Sequence, residues 1–298
     1  MLNAPIVLFV FKRPDHLRRT IETLKNNVDA SDHDLIIFSD APRGEADREG
    51  VGRVREYIRA IEGFRSIRIV ERQTNAGLAR SIIEGVTAVL KEYDRVIVLE
   101  DDMETSPYFL KYMNEGLERY GDEERVISIH AYCYPVKGKL PETFFLKGAD
   151  CWGWGTWRRG WSLFESDGRR LLEELRQRSL LRRFDLNGAY PYTRMLREQI
   201  AGKNDSWAIR WYASALVHDR LTLYPGRSLI RNIGTDASGS HCHATEEFET
   251  PLAERPVQVS DIPLEEDEGA LKHFEVYFRS IHLRWHQRML HRIQRSFQ

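Results

Sequence analysis

Val96-Ile97-Val98-Leu99-Glu100-Asp101-Asp102 sets four unbroken apolar residues directly against three carboxylates. A short apolar run with no polar alternation reads as a strand covered on both faces, which is the habit of a parallel sheet. Such a strand delivers its carboxylates to an exposed edge, where they repel one another and cost stability unless a cation neutralises them. Carboxylate oxygens are hard ligands suited to Mg²⁺ or Mn²⁺, ions that leave positions open for phosphate oxygens and water. The bland alternative is a solvated turn or cap ahead of Thr105-Ser106-Pro107.

Upstream, the chain alternates strand and helix. Ile6–Phe11 is a second continuous apolar run, and Leu17, Ile21 and Leu24 follow at helical spacing behind Pro14, which suits a first turn. Leu35–Phe38 is the next strand and ends in Ser39-Asp40; Val51, Val54, Ile58 and Ile61 mark a helix, and Ile67–Val70 a third strand. Thr74-Asn75-Ala76-Gly77 then leads into a helix carrying Ile82, Val86 and Val89. Strands and helices alternating over short connections predict an α/β fold with a mostly parallel central sheet flanked by helices. Ligands gather at the carboxyl ends of such strands, and Asp40 and the acidic triplet both fall there. Asp40 alone would read as a turn residue before Pro42 and Gly44.

Beyond Val126–His130 the character changes. Residues 132–240 are rich in glycine and aromatics, with Trp152, Trp154, Trp157 and Trp161 close together, and read as a second lobe packed on the first sheet. Trp152 and Trp154 alternate with Gly153 and Gly155, so both would point one way in an extended segment. Flat rings among small residues suit stacking on a sugar face, although large aromatics are more often core. Residues 250–269, acidic and punctuated by Pro251, Pro256 and Pro263, read as a linker. The expected division is therefore 1–130, 131–249 and 250–298. The last segment returns to helical spacing: Phe274, Tyr277, Phe278, Ile281, Trp285, Met289 and Ile293 share a face, while Arg279, Arg284, Arg288, Arg292 and Arg295 supply positive charge. Two readings stand: a helix packed on its own domain or a partner, or an amphipathic helix lying peripherally on an anionic membrane surface.

Bulk composition narrows the class. The chain has 298 residues, 42% hydrophobic and 30% charged, with net charge -1. That near-neutral balance gives no support for nucleic-acid binding, which needs a basic field. The run Ile6–Phe11 is too short to span a bilayer and lacks a signal-peptide layout, so a cytoplasmic location is expected. Three cysteines, Cys133, Cys151 and Cys242, are too few and too scattered for a disulfide framework. His241-Cys242-His243 resembles a metal triplet, but adjacent residues rarely all reach one ion.

Val96 to Met113, V-I-V-L-E-D-D-M-E-T-S-P-Y-F-L-K-Y-M, resembles the acidic-motif region of GT-A (Rossmann-like) glycosyltransferases, closest to the N-acetylglucosaminyltransferase I family and its bacterial relatives. Phe11-Lys12-Arg13, Phe38-Ser39-Asp40 and Ala79-Arg80-Ser81 are similar to that family's nucleotide contacts. The resemblance implies that Asp102 binds Mn²⁺ or Mg²⁺ and that Asp101 supports the ribose or sugar. It further implies that Asp40 reads the base, with Arg13, Asn75, Arg80 and Ser81 around the donor. Ser81 stands where the family often places a histidine. Lys203-Asn204-Asp205-Ser206-Trp207 looks like the segment supplying the catalytic base, which would be Asp205; an N-cap for the helix from Trp207 is its structural alternative. Asn232 to His241 resembles the late flexible loop, in which His241 would meet metal or phosphate. Trp152 and Trp154 would lie on the acceptor side.

Together these imply inverting transfer of a sugar from a nucleotide-diphosphate donor, a UDP-sugar foremost, to a glycan or lipid-linked acceptor in surface-glycan synthesis. A nucleotidyltransferase would carry a glycine-rich loop after the first strand, where this chain has Lys12-Arg13-Pro14-Asp15. A non-catalytic carbohydrate-binding protein would have no use for Glu100-Asp101-Asp102.

Overall fold

A computed structural model describes residues 3–236 and 245–296, with side chains through residue 282. The first half runs β1 (Ile6–Val10), α1 (Pro14–Lys25), β2 (Asp34–Ser39), α2 (Glu45–Arg59), β3 (Ser66–Glu71), α3 (Leu78–Glu92) and β4 (Arg95–Glu100). These strands pair in parallel in the order β3-β2-β1-β4, as the apolar runs predict. Within β1, Ile6, Leu8 and Val10 join the cluster containing Leu17, Ile21 and Leu24 of α1, whereas Val7 and Phe9 join that of Ile82, Val86 and Val89 of α3. Burial on both faces is why the run is unbroken: each side chain, whichever way the pleat turns it, meets a helix.

The chain continues through β5 (Met103–Thr105), α4 (Phe109–Arg119), β6 (Val126–His130), β7 (Thr143–Lys147), β8 (Trp154–Trp157) and α5 (Arg158–Trp161). Then follow α6 (Gly168–Gln177), α7 (Leu181–Phe184), α8 (Tyr192–Ile200), α9 (Trp207–Val217), β9 (Leu221–Pro225), β10 (Ile230–Asn232) and α10 (Glu268–Ser296). Strand β8 pairs antiparallel to β4 and extends the same sheet as β4-β8-β6-β9-β7, eight strands in all. Strand β5, directly after the acidic triplet, pairs instead with β10.

Two expectations need revision. Trp152 and Trp154 do not share a face. Gly153 between them has φ +65°, a left-handed turn that breaks the extended geometry, and a Cβ there would lie 2.5 Å from Ile230 Cγ1. Trp154 is therefore core, 1% exposed and packed with Trp161, Trp207 and Trp211. It has no surface to offer an acceptor.

Residues 251–267 contain no helix or strand, yet they are strapped to the body. Ser106 Oγ donates to the Ala253 carbonyl (2.7 Å), Ala253 N–H to the Ser228 carbonyl (2.7 Å), and Val257 is 1% exposed. The proline-rich stretch is held by these contacts and is not a free linker. The first half of α10 packs Ala270, Phe274, Tyr277, Phe278 and Ile281 against Phe144, Leu146 and Tyr224, as the domain-packing reading expects. Among the described residues no helix is long and apolar enough to cross a membrane.

Candidate active site at the carboxyl edge of the sheet

Strand order reverses between β1 and β4: successive crossovers from β1 lead to β2 and β3 on one side, while β4 lies on the other. At such a switch point the loops diverge and leave a crevice at the carboxyl edge. Arg13 follows β1 and Asp101-Asp102 follow β4, and the three meet there. Arg13 Nη2 contacts Asp101 Oδ1 and lies 2.8 Å from Asp102 Oδ2. Phe11 N–H also points to Asp101 (3.4 Å), and Thr20 Oγ1 donates to the Asp101 carbonyl (2.9 Å). Burial opposes the charge on Arg13, but the two carboxylates outweigh it and raise its pKa further. At Glu100, half-buried on the strand end, burial first and then the charges of Asp102 and Asp101 push the carboxyl up to about 8. Burial likewise pushes the Asp101 carboxyl up, against the pull of Arg13.

One acceptor is left over. Asp102 Oδ1 is buried with no hydrogen-bond partner among the described residues. A buried carboxylate oxygen without a donor is costly unless something positive meets it. Mg²⁺ and Mn²⁺ accept one or two protein carboxylates and complete their shells with water and substrate phosphates, so this donor set fits a divalent ion. Among the described residues no three metal-ligating side chains converge.

The β5–β10 pairing covers this edge. Ile233 N–H donates to the Asp102 carbonyl (2.9 Å), and Asn232 Oδ1 turns the chain by accepting from Gly234 N–H (2.8 Å). Gly234 then lies so close that a Cβ would stand 2.0 Å from Asp102 Oδ2. Glu104, 4% exposed, anchors the pairing from below by accepting from Arg19 (2.7 Å) and from Arg231 Nε (2.7 Å). His241 lies outside the described residues, as do Cys242 and His243.

Asp40 ends β2 two strands from Asp101, about 10 Å away at ordinary strand spacing. Its oxygens accept from the N–H groups of Ala41 (2.9 Å), Ala76 (2.9 Å) and Gly77 (2.9 Å), and from Asn75 Nδ2 (3.0 Å). That fills the carboxylate's acceptor capacity. Asp40 and Asn75 therefore shape the loop that starts α3 and leave no free oxygen on Asp40 for a base. Of the two α3 residues, Ser81 is buried with its hydroxyl unpartnered among the described residues, and Arg80 turns outward to Glu84 (2.6 Å).

Asp205 has a side chain 65% exposed and lies 3.3 Å from Arg210 Nη2. It does not cap α9; Ser206 does, its Oγ accepting from Ile209 N–H (3.2 Å). Asp205 is thus free of the structural task its position suggested, and lacks the partial burial expected of a tuned base.

Sequence reasoning passed over Asp150 and its surroundings. Asp150 Oδ2 accepts from the Tyr134 hydroxyl (2.7 Å) and lies 3.7 Å from Nε2 of His130, a residue 0% exposed whose pKa burial lowers. The signal available was one carboxylate inside a run of glycines and tryptophans. Gly234 lay inside the quoted loop without a role, because its contact with Asp102 joins positions far apart in sequence.

Fold and site together define a GT-A, Rossmann-like scaffold with a crevice at the carboxyl edge of its sheet. The chain belongs to glycosyl transferase family 2, whose family model matches residues 6–172. A comparison with curated protein sequences found no match. Among solved structures it is similar to S. aureus TarS, with 14% identity, TM-score 0.31, and coverage of 49% of this chain and 24% of that one. It is also similar to the mannosyltransferase PcManGT from Pyrobaculum calidifontis, solved with GDP-Man and Mn²⁺: 11% identity, TM-score 0.30, covering 43% of this chain and 35% of that one. The match therefore spans about a quarter and a third of the lengths of those two chains.

Proposed function

We propose that this protein is an inverting glycosyltransferase that moves a sugar from a UDP-sugar, with Mn²⁺ or Mg²⁺ bound at Asp102, to an acceptor hydroxyl in surface-glycan synthesis. The observation that carries the reading is the buried, unpartnered Oδ1 of Asp102 at the switch point of the sheet. A divalent ion there would offset the charge that develops on the departing diphosphate. Asp101, held by Arg13 and by the Phe11 N–H, would orient the ribose or sugar hydroxyls. Arg13, already on both carboxylates, would remain beside the diphosphate. The Asn232–Gly234 turn would close the crevice from above and exclude water.

Asp205 would take the proton from the acceptor hydroxyl as it attacks the anomeric carbon opposite the leaving diphosphate. Its exposure leaves it accessible to an incoming acceptor, with Arg210 Nη2 3.3 Å away. Trp152, half-buried beside Phe248 and Tyr132, supports the acceptor-side role that Trp154 has lost. The likeness of Val96–Met113 to the N-acetylglucosaminyltransferase I family supports an N-acetylhexosaminyl or hexosyl group as cargo.

The test is calorimetry with UDP and Mn²⁺ on wild-type protein and Asp102→Ala. Metal-dependent binding should vanish in the variant, with a thermal midpoint within a few degrees of wild type because a strand-end carboxylate contributes little to the core. Unchanged affinity would remove Asp102 from the metal site.

A further inference from the structure

A cavity of about 280 Å³ lies between β7, β9 and the helices α7 to α10. Its walls are aromatic, with Trp152, Tyr192, Phe248 and Phe274 among the lining residues. Among the polar groups that interrupt them, three matter here. Asp150 has a side chain 19% exposed; its carboxylate accepts from Tyr134 and from the Cys151 N–H (2.8 Å). The Tyr212 hydroxyl is buried and makes no hydrogen bond among the described residues. Arg183 Nη1 is likewise buried and unpartnered, while its Nη2 contacts Glu266.

The last two are hard to account for by packing alone. A buried phenol and a buried guanidinium N–H without acceptors cost stability unless a ligand or water meets them. The volume sits just under the usual range of about 300–1,000 Å³ for small-molecule pockets, room for one ring rather than a chain of them. Aromatic faces match the C–H faces of a pyranose, an aspartate accepts from hydroxyls, and a phenol and a guanidinium donate to ring-substituent oxygens.

Charge narrows the choice. Arg183 is paired with Glu266, and Lys147 at the rim with Asp219 (2.6 Å), so Asp150 stands as the surplus charge. An anionic sugar would meet that negative charge in a poorly solvated site. One wall of the cavity also lies towards the acidic edge of the sheet. Trp154 pairs with Val98 in antiparallel register, so residues 150–152 enter β8 from the side where β4 ends in Glu100-Asp101-Asp102.

We infer that this cavity holds one neutral sugar ring of the acceptor, a hexose or N-acetylhexosamine, with Asp150 accepting from a ring hydroxyl and Tyr212 and Arg183 donating to its substituents. The inference rests on the glycosyl-transfer reading above and names the acceptor class for that site. Asp150 here is a specificity-determining residue; proton removal remains with Asp205.

Saturation-transfer NMR on the full chain tests it, with methyl glucoside and methyl N-acetylglucosaminide as probes and glucuronate as the anionic control. The neutral sugars should bind and glucuronate should bind at least several-fold more weakly. Asp150→Asn should weaken the neutral sugars by about 10-fold or more and Tyr212→Phe by about 2- to 10-fold, the range for losing a charged and a neutral hydrogen bond. Because Tyr212 gives no hydrogen bond among the described residues, Tyr212→Phe should not lower the melting temperature. A fall of several degrees would assign the hydroxyl to the fold and overturn its ligand role. Glucuronate binding as tightly as the neutral sugars would overturn the charge argument. The same samples are scanned thermally with UDP and Mn²⁺. Stabilisation by UDP with no sugar signal refutes the cavity alone, whereas sugar binding without any UDP effect refutes the nucleotide-sugar reading instead.

Discussion

Gly234→Ala is the sharpest probe of how the crevice is assembled. The glycine is not in the left-handed region, so alanine adopts its backbone without strain and the substitution adds only a methyl group. That methyl would sit 2.0 Å from Asp102 Oδ2 and 2.9 Å from Arg13 Nη1. Contacts of this kind relax at about 3.5 Å, so the carboxylate or the Asn232–Gly234 turn must move by ~1–1.5 Å. A displacement near 1 Å at a reacting centre costs ~100-fold in rate, and we expect kcat/KM to fall by about that factor. The stability cost should be small, ~1 kcal/mol, because overpacking is partly offset by the lower chain entropy of alanine in the unfolded state. Turnover of UDP-sugar at saturating Mn²⁺, followed by UDP release, reads the first quantity and a thermal melt reads the second. Gly52→Ala is the control: its Cβ would meet nothing within 4 Å, and the helix should gain up to ~1 kcal/mol with activity unchanged. Wild-type kcat/KM in Gly234→Ala would refute the reasoning, since Asp102 could then not be held where the turn presses on it.

Other consequences are as direct. Asp205→Asn should leave UDP and Mn²⁺ affinity intact while lowering transfer by ~10²–10⁴-fold; retained transfer would rule Asp205 out as the base. Trp154→Ala should cost ~3–5 kcal/mol in a denaturant melt, the range for deleting a core aromatic, and a loss under ~1 kcal/mol would contradict its burial. Asp34 is held down to about 2 by the hydrogen bonds of Arg65, with Ser66 and Tyr93 assisting against desolvation. Its folded value lies below the unfolded one, so its contribution is full above pH ~4 and is lost as pH falls through about 2. Asp34→Asn should therefore cost about 2 kcal/mol at pH 7, and the two proteins should converge near pH 2 in urea titrations.

The parallel half of the sheet was legible because its signal is local. Val96–Leu99, Ile6–Phe11 and Leu35–Phe38 are apolar on every residue, and only a strand buried on both faces tolerates that pattern between short loops. Asp101 and Asp102 were legible for a related reason, since adjacency along the chain guarantees adjacency at a strand end. Asp40 and Trp154 were not. Whether a carboxylate at a strand end faces a ligand or its own backbone depends on the loop that folds over it, and residues 75–77 supply donors from 35 or more positions away.

Sequence alone therefore determined what adjacency can encode: the alternation of strands and helices, and the strand end that carries the charges. Tertiary structure decided the rest: that Arg13 lies across Asp101 and Asp102, that Gly234 seals them, that Gly153 sends Trp152 and Trp154 apart, and that Asp150 faces an aromatic cavity. Each of these depends on two segments meeting in space, and a contact between distant segments is set by the packing of the whole sheet and its helices, which no local pattern of residues records.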